Sequence, residues 1–337
     1  NPIFMLTANF FSHFASGPET VALCVNAMSG LLSAGTILLL FWTITHLVRR
    51  LIVKAGDDLN FLSWTKLAII MGSGLCGALV YAWSDTFWFS AVEAEVYAFS
   101  SFCTALTFWL ILKWENRSDD PRSDRYLIAI AYIVGLSIGV HLLNLLCVPA
   151  IALAVYYKRT RRTRWWMTLS VLLLSFAIIV FILYGMVPGF LSIAQQAELL
   201  FVNHFGFKFN SGVVAYTISF IAIACWSIFE LHRRNSGMRI KISFFLLLAL
   251  SGIFFIGDTF YLPAAFALFA LVYLFYYCKQ HTPIRAMRII AMSLVMIFAG
   301  FSTYAVVMLR SSSKVPMNVN APDNVFSLSS YIARDQF

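Results

Sequence analysis

The sequence predicts an all-α, polytopic transmembrane helix bundle of about ten spans. Three observations carry this expectation. Of the 337 residues, 61% are hydrophobic and only 12% are charged, with a mean hydropathy of +0.81; a soluble domain is about half apolar and about a quarter charged. A water-soluble fold has no polar coat large enough to cover that much apolar surface. The apolar residues come in runs long enough to cross a bilayer, divided by short basic clusters. Those clusters fall on alternate sides of successive runs, the signature of membrane topology.

A helix rises about 1.5 Å per residue, so a hydrocarbon core of ~30 Å takes ~20 residues. Reading between the clusters gives spans at 21–47, 66–84, 95–112, 126–141, 144–157, 166–187, 212–231, 242–258, 262–278 and 289–309. Backbone polar groups in lipid must pair within their own segment, which leaves helices as the form of each run. The segment 1–20 is apolar at its start but too short to span, and reads as an outer-face interfacial or re-entrant segment. Residues 21–309 form the transmembrane domain, and 310–337 a polar, non-cytoplasmic tail. The chain opens at Asn1 without an initiator Met and closes in a segment rich in Asn, Pro and Ser, so it reads as a fragment.

Charge sets the orientation. If 21–47 runs from outside to inside, the clusters at 49–66, 113–125, 158–164, 233–241 and 279–288 are all cytoplasmic, and they hold 20 of the 24 basic residues. Only Lys208, Arg310, Lys314 and Arg334 fall outside. The 15 acidic residues divide evenly, seven inside and eight outside, so the bias lies in Lys and Arg alone. Basic residues scattered among span ends do not form a nucleic-acid-binding stripe, and nucleic acid is not expected as a partner despite the net charge of +9. The six Cys form no CxxC pair and read as small buried hydrophobes, with no metal site. The soluble-enzyme signatures of a P-loop or HExxH do not occur.

Candidate chemistry lies at outer helix ends. Asp85, Glu93 and Glu95 stand among Trp83, Phe87, Trp88 and Tyr97. Carboxylates against apolar walls serve as acid or base, or bind a cation; equally, they cap helix N-termini. On a continuous helix Glu93 and Tyr97 would share a face. The hairpin 126–157 allows two passes of roughly 16 residues each, short for a crossing, so its tip at His141 and Asn144 should sit recessed. There the two side chains could donate to a lipid phosphate or satisfy their own helix ends. The hairpin 242–278 is short as well and places Asp258 in a similar recess. Arg310, at the outer end of 289–309, either pairs with a lipid phosphate or snorkels to the headgroups. No Asp, Glu, Lys or Arg occupies the middle of any predicted span, where ion-coupled transporters place such groups.

Four stretches carry a family resemblance: Val25-Asn26-Ala27 with Leu40-Phe41-Trp42-Thr43-Ile44-Thr45, SDTFWFSAVEAEVYAFS at 84–100, Gly139-Val140-His141-Leu142-Leu143-Asn144, and the tail at 318–337. The chain resembles a family of multi-span bacterial inner-membrane proteins, long described as of unknown function, that includes an animal transmembrane protein O-mannosyltransferase. The resemblance implies a glycosyltransferase of the GT-C class in the bacterial inner membrane. Such an enzyme takes a sugar from a polyprenyl-phosphate donor and passes it, on the non-cytoplasmic side, to a hydroxyl, here expected on Ser or Thr of an exported protein. Membrane lipids are the remaining partners; no cofactor is implied, and dependence on a divalent metal is left open.

The family carries an acidic Asp-x-Gly-Glu motif before a His-Pro-Pro-Gly-type stretch, and this chain begins at Asn1-Pro2-Ile3-Phe4, where that stretch ends. The principal general base is therefore expected upstream of Asn1, with Glu93 and Glu95 as the catalytic candidates within the chain. Asp85, His141, Asn144, Asp258 and Arg310 are the candidates for substrate binding. A membrane transporter or lipid flippase is the rival reading, and a structural component of an envelope assembly the third.

Overall fold

The computed structural model describes residues 1–53, 62–160, 162–233, 237–255, 261–276, 278, 283–313, 315, 318–333 and 335. All regular structure among them is helical. The chain divides into two compact units, Asn1–Thr163 and Arg164–Phe337.

The first unit opens with α1 (Pro2–Ser12), which has Pro at its first position, where the missing N–H costs nothing. Met5, Leu6, Phe10 and Phe14 are exposed along and just beyond it. α2 (Val21–Ile52) is the central element, with α3 (Trp64–Ala82), the short α4 (Asp85–Val92) and α5 (Val96–Asn116) all packed on it. Close approach is built from small residues. A Cβ at Gly74 would come within 3.0 Å of the Phe41 ring, and one at Gly35 within 2.8 Å of Phe102. α6 (Asp124–Ile138) and α7 (Cys147–Arg159) follow, both against α5 and joined through a 3-10 turn at Leu142–Leu146. Asp120 starts the entry to α6 by accepting from the Arg122 N–H at 2.8 Å, ahead of Pro121.

The unit is polarised. Arg49 and Arg50 lie in the last turn of α2, Lys113 in that of α5, and Lys158 and Arg159 in that of α7. Arg50 pairs with Glu115 at 2.7 Å, and the Arg159 guanidinium lies 5.8 Å from the Trp114 ring. One end of the unit thus gathers the basic residues. The opposite end holds the α3–α4–α5 turns and the α6–α7 tip.

The second unit begins with a 40-residue helical run, Trp165–His204. It comprises α8 (Trp165–Phe181), a π segment at Ile182–Met186, α9 (Val187–Leu199) and a second π segment at Leu200–His204. The expected span end at 187 is therefore corrected. Pro188 has no N–H for the Tyr184 carbonyl, and the helix widens there instead of stopping. α10 (Ser211–Arg233) returns antiparallel to α9, and α11 (Gly237–Leu250), α12 (Tyr261–Phe275), α13 (Ile284–Phe301), α14 (Tyr304–Ser311) and α15 (Val325–Ala333) complete the unit. Gly252, at φ +78°, and Gly189 touch backbone to backbone, a contact no side chain would permit. α15 lies within the segment expected as a polar tail. Asn324 caps it by accepting from the Phe326 and Ser327 N–H groups at 2.9 and 3.0 Å, and Val325 and Leu328 pack with Leu191, Ala194 and Tyr216.

Among the described residues, seven helices are long and apolar enough to cross a membrane. α6, α11 and α12, with 15, 14 and 15 residues, are shorter; they belong to the two hairpins whose sequence already left little length for two passes. The helices carry their apolar residues outward as well as inward: Leu31, Val80, Leu173, Ile218 and Phe269 are among the exposed ones. That is the surface of a multi-pass integral membrane protein. Cys103, Cys147 and Cys278 are buried as expected, whereas Cys76 and Cys225 are exposed and Cys24 is half-buried.

Candidate functional site

The acidic loop sits where α4 gives way to α5. Ser84 precedes α4, and Asp85 occupies its first turn, where a carboxylate favours the helix N-terminus. The helix stops at Val92. Glu93 (φ −103°, ψ 143°) and Glu95 (φ −119°, ψ 160°) are both extended, and the Glu95 N–H bonds the Glu93 carbonyl at 2.8 Å. The expectation that Glu93 and Tyr97 share a helix face is thus corrected, because α5 begins only at Val96. Asp85, Glu93 and Glu95 are all exposed.

Tyr97, in the first turn of α5, leans on His141 with ring centroids 5.6 Å apart. This contact joins the acidic loop to the α6–α7 tip. His141 precedes the 3-10 turn, and its Nδ1 accepts from the Leu143 N–H at 3.2 Å. With Nδ1 accepting, the neutral ring carries its proton on Nε2, which leaves a donor on a half-buried side chain.

Asn144 is fully buried and spends its amide inside the fold. Its Nδ2 donates to the Ser137 hydroxyl at 3.1 Å, while Oδ1 accepts from Thr104 and from the Cys147 thiol, each at 3.4 Å. The amide orientation is fixed by Ser137, whose own hydroxyl donates to the Val134 carbonyl and so must accept from Nδ2. Asn144 therefore positions the tip that presents His141; it does not face a phosphate itself.

Beneath this end of the unit lies a cavity of about 620 Å³ between α2, α3, α5 and the α6–α7 tip. Thr36, Thr43, Tyr81, Tyr97, Ser100 and Thr104 line it, together with Leu40, Ile44, Phe108, Leu143 and Leu146. Thr36 and Thr43 bond back to the Leu32 and Leu39 carbonyls of their own helix, which leaves their methyls to the wall. Ser100 differs: its hydroxyl is buried and has no partner. A mostly apolar chamber with a few convergent polar groups is the form of a site for an amphiphile. Sequence reading missed Ser100 and Thr104. Their signal was a hydroxyl stripe at 100, 101 and 104 on α5, facing Thr36 and Thr43 one heptad apart on α2.

The remaining candidates, Arg310 and Asp258, lie outside Asn1–Thr163 in sequence. Arg310 is exposed in the last turn of α14, in the second unit. Asp258 lies outside the described residues. The second unit also holds a buried carboxylate the sequence did not single out. Glu198, placed in a loop by the span boundaries, is on α9 and only 1% exposed. It accepts from the Asn210 and Val213 N–H groups, and so caps α10.

Residues 1–164 match the family model of the protein O-mannosyl-transferase TMEM260 N-terminal domain. No curated protein matches the chain, and no solved structure does.

Proposed function

We propose that the protein is a membrane glycosyltransferase that moves a sugar from a polyprenyl-phosphate carrier to a hydroxyl, on Ser or Thr of an exported protein, at the non-cytoplasmic face of a bacterial inner membrane. One observation carries this reading. The stretch that matches an O-mannosyltransferase domain, 1–164, coincides with the compact unit 1–163 that contains the cavity and the acidic loop.

The chemistry assigned to the site is substitution at the anomeric carbon. The acceptor oxygen forms the new bond, the bond from anomeric carbon to phosphate oxygen breaks, and polyprenyl phosphate leaves with the electron pair. Glu93 or Glu95 takes the acceptor proton, and the His141 Nε2–H steadies charge growing on the leaving phosphate. The apolar cavity takes the prenyl chain, with Ser100 and Thr104 near its polar end. Arg310 and Asp85 are assigned to substrate binding from the sequence alone.

The test is transfer from a polyprenyl-phosphate-linked mannose to a Ser/Thr-rich exported protein in membranes containing the chain. Glu93→Gln or Glu95→Gln lowers kcat by about 10²–10⁴-fold if that carboxylate is the base. Thr104→Leu, which fills the cavity, raises KM for the donor with kcat nearly unchanged. Movement of the lipid-linked sugar across the bilayer without transfer to protein would replace this reading with a flippase.

A further inference from the structure

At its other end the first unit holds a second cavity, about 870 Å³ in volume, which the sugar-transfer reading does not use. It lies where α2 and α5 end and α3 begins. Trp42, Trp109, Ile70 and Met71 form its apolar walls, and Arg49, Arg50 and Lys113 bring cations to it.

The polar groups fall into two sets. Arg50 is already committed, with Nη1 on the Glu115 carboxylate at 2.7 Å and Nη2 on the Asn116 carbonyl oxygen. That bond fixes the Asn116 amide as the donor to His46 Nε2 at 3.3 Å, so His46 is neutral and completes a closed chain. Arg49 and Lys113 are outside that chain. Among the described residues neither is paired with a carboxylate. Lys113 rests over the Trp109 ring, 4.4 Å from its centroid, which holds the ammonium at the cavity wall while leaving its N–H groups to be satisfied.

The helix termini do not cancel this charge. The C-termini of α2 and α5 each contribute about half a negative charge, and the N-terminus of α3 about half a positive one. Two full cations, neither paired with a carboxylate among the described residues, outweigh that remainder. The cavity therefore combines positive charge with aromatic and aliphatic walls, directly where three helices meet a membrane surface. A soluble anion would use only the charge, and an apolar molecule only the walls. A lipid phosphate with its acyl chains uses both.

We propose that this cavity binds the phosphate head of an anionic glycerophospholipid, with Arg49 and Lys113 on the phosphate and the chains along Trp42, Ile70 and Met71. The site is separate from the sugar-transfer cluster and stands whether or not that function is correct.

The experiment uses the whole chain purified in a neutral detergent. Binding of dioctanoyl phosphatidic acid is measured by native mass spectrometry and by titration calorimetry, against dioctanoyl phosphatidylcholine and inorganic phosphate. Phosphatidic acid binds saturably with one site, phosphatidylcholine does not, and inorganic phosphate at millimolar concentration fails to displace the lipid. Arg49→Gln with Lys113→Gln weakens binding roughly thirtyfold, given the usual contribution of each basic residue near an anionic headgroup. The control pair Arg117→Gln with Arg122→Gln lies in the same basic stretch but does not line the cavity, and changes binding less than about twofold. The exposed Arg49→Gln alone supplies a second test should the double variant fold poorly, and weakens binding roughly fivefold. Equal loss in the control pair would reduce the effect to diffuse surface charge, and equal binding of phosphatidylcholine or displacement by free phosphate would also overturn the proposal.

Discussion

Replacing Asn144 with Asp changes one amide nitrogen to oxygen at a position with no exposure. The shape is kept, so the effect reports the polar environment alone. In the native chain Nδ2 donates to a Ser137 hydroxyl that is itself donating to the Val134 carbonyl. A carboxylate oxygen placed there meets no hydrogen, and the only donors to the other oxygen are the Thr104 hydroxyl and the Cys147 thiol at 3.4 Å. Neither is a charge. Desolvation without a cation raises a buried carboxyl by about 3 pKa units or more, and each unit is worth ~1.4 kcal/mol at a pH where the group would otherwise ionise. The variant should therefore lose about 4 kcal/mol at pH 8. Asn144→Ala loses the hydrogen bond to Ser137 and the two long ones from Thr104 and Cys147, and leaves a small void, about 2 kcal/mol.

The sign with pH follows from the raised folded pKa. Below about pH 4 the Asp carboxyl is neutral in both folded and unfolded chains, and Asn144→Asp behaves as a near-isostere able to donate to Ser137. As pH rises from about 4 to about 7 the unfolded chain ionises first, and the folded state loses stability. For a unit of 163 residues the midpoint shifts about 3 °C per kcal/mol. Melting of detergent-purified protein should thus show Asn144→Asp roughly 12 °C below the native chain at pH 8 and below Asn144→Ala, with the order reversed near pH 4.5. Equal stability of Asn144→Asp and the native chain at pH 8 would show that the amide is not enclosed as described.

Two further outcomes follow from other parts of the molecule. Glu198→Gln keeps one acceptor for the α10 N-terminus but turns an NH₂ against the other N–H, so it should cost about 2 kcal/mol, and Glu198→Ala about 3–4 kcal/mol, both measured by thermal unfolding; an unchanged midpoint would mean α10 does not depend on this cap. In a background with Cys24, Cys76 and Cys225 replaced, a membrane-impermeant thiol reagent on intact cells should label Ser312→Cys and not Asn235→Cys, a position outside the described residues; the opposite pattern would invert the topology drawn from the basic clusters.

The helical architecture was legible because lipid leaves so few options. An apolar run of span length must be a helix, and the basic clusters divide one run from the next. The two short hairpins were legible for the same reason: 32 residues between Arg125 and Lys158 cannot supply two full crossings. The errors lie where backbone departs from that rule. The α4–α5 break falls in Asp85–Ser100, which contains neither Gly nor Pro, so no local signal marks Glu93 and Glu95 as extended. At Pro188 the signal was present and pointed the wrong way, since a π segment absorbs the missing hydrogen bond within a continuous helix. The cavity was hidden for another reason. Ser100 and Thr104 read as ordinary helix residues until the packing of α2 and α5 brings them onto one cavity wall with Thr36 and Thr43.

The placement of those irregular segments bears on the site itself. Non-helical backbone at a membrane surface leaves N–H and C=O groups without intrahelical partners, and such groups persist where protein or water satisfies them. In the first unit two such segments, Glu93–Glu95 and Gly139–Leu146, are drawn together by the Tyr97–His141 contact over one cavity. The Asn144 network ties the second segment down from below, through α5 at Thr104 and α6 at Ser137. The Asn144 network is thus buried and uncharged, while the ionisable Glu93 and Glu95 are exposed and His141 is half-buried. That division suits transfer at an interface. Under the proposed transfer, the lipid chain would be held by walls that never change charge, and proton movement would be confined to the few residues that meet water.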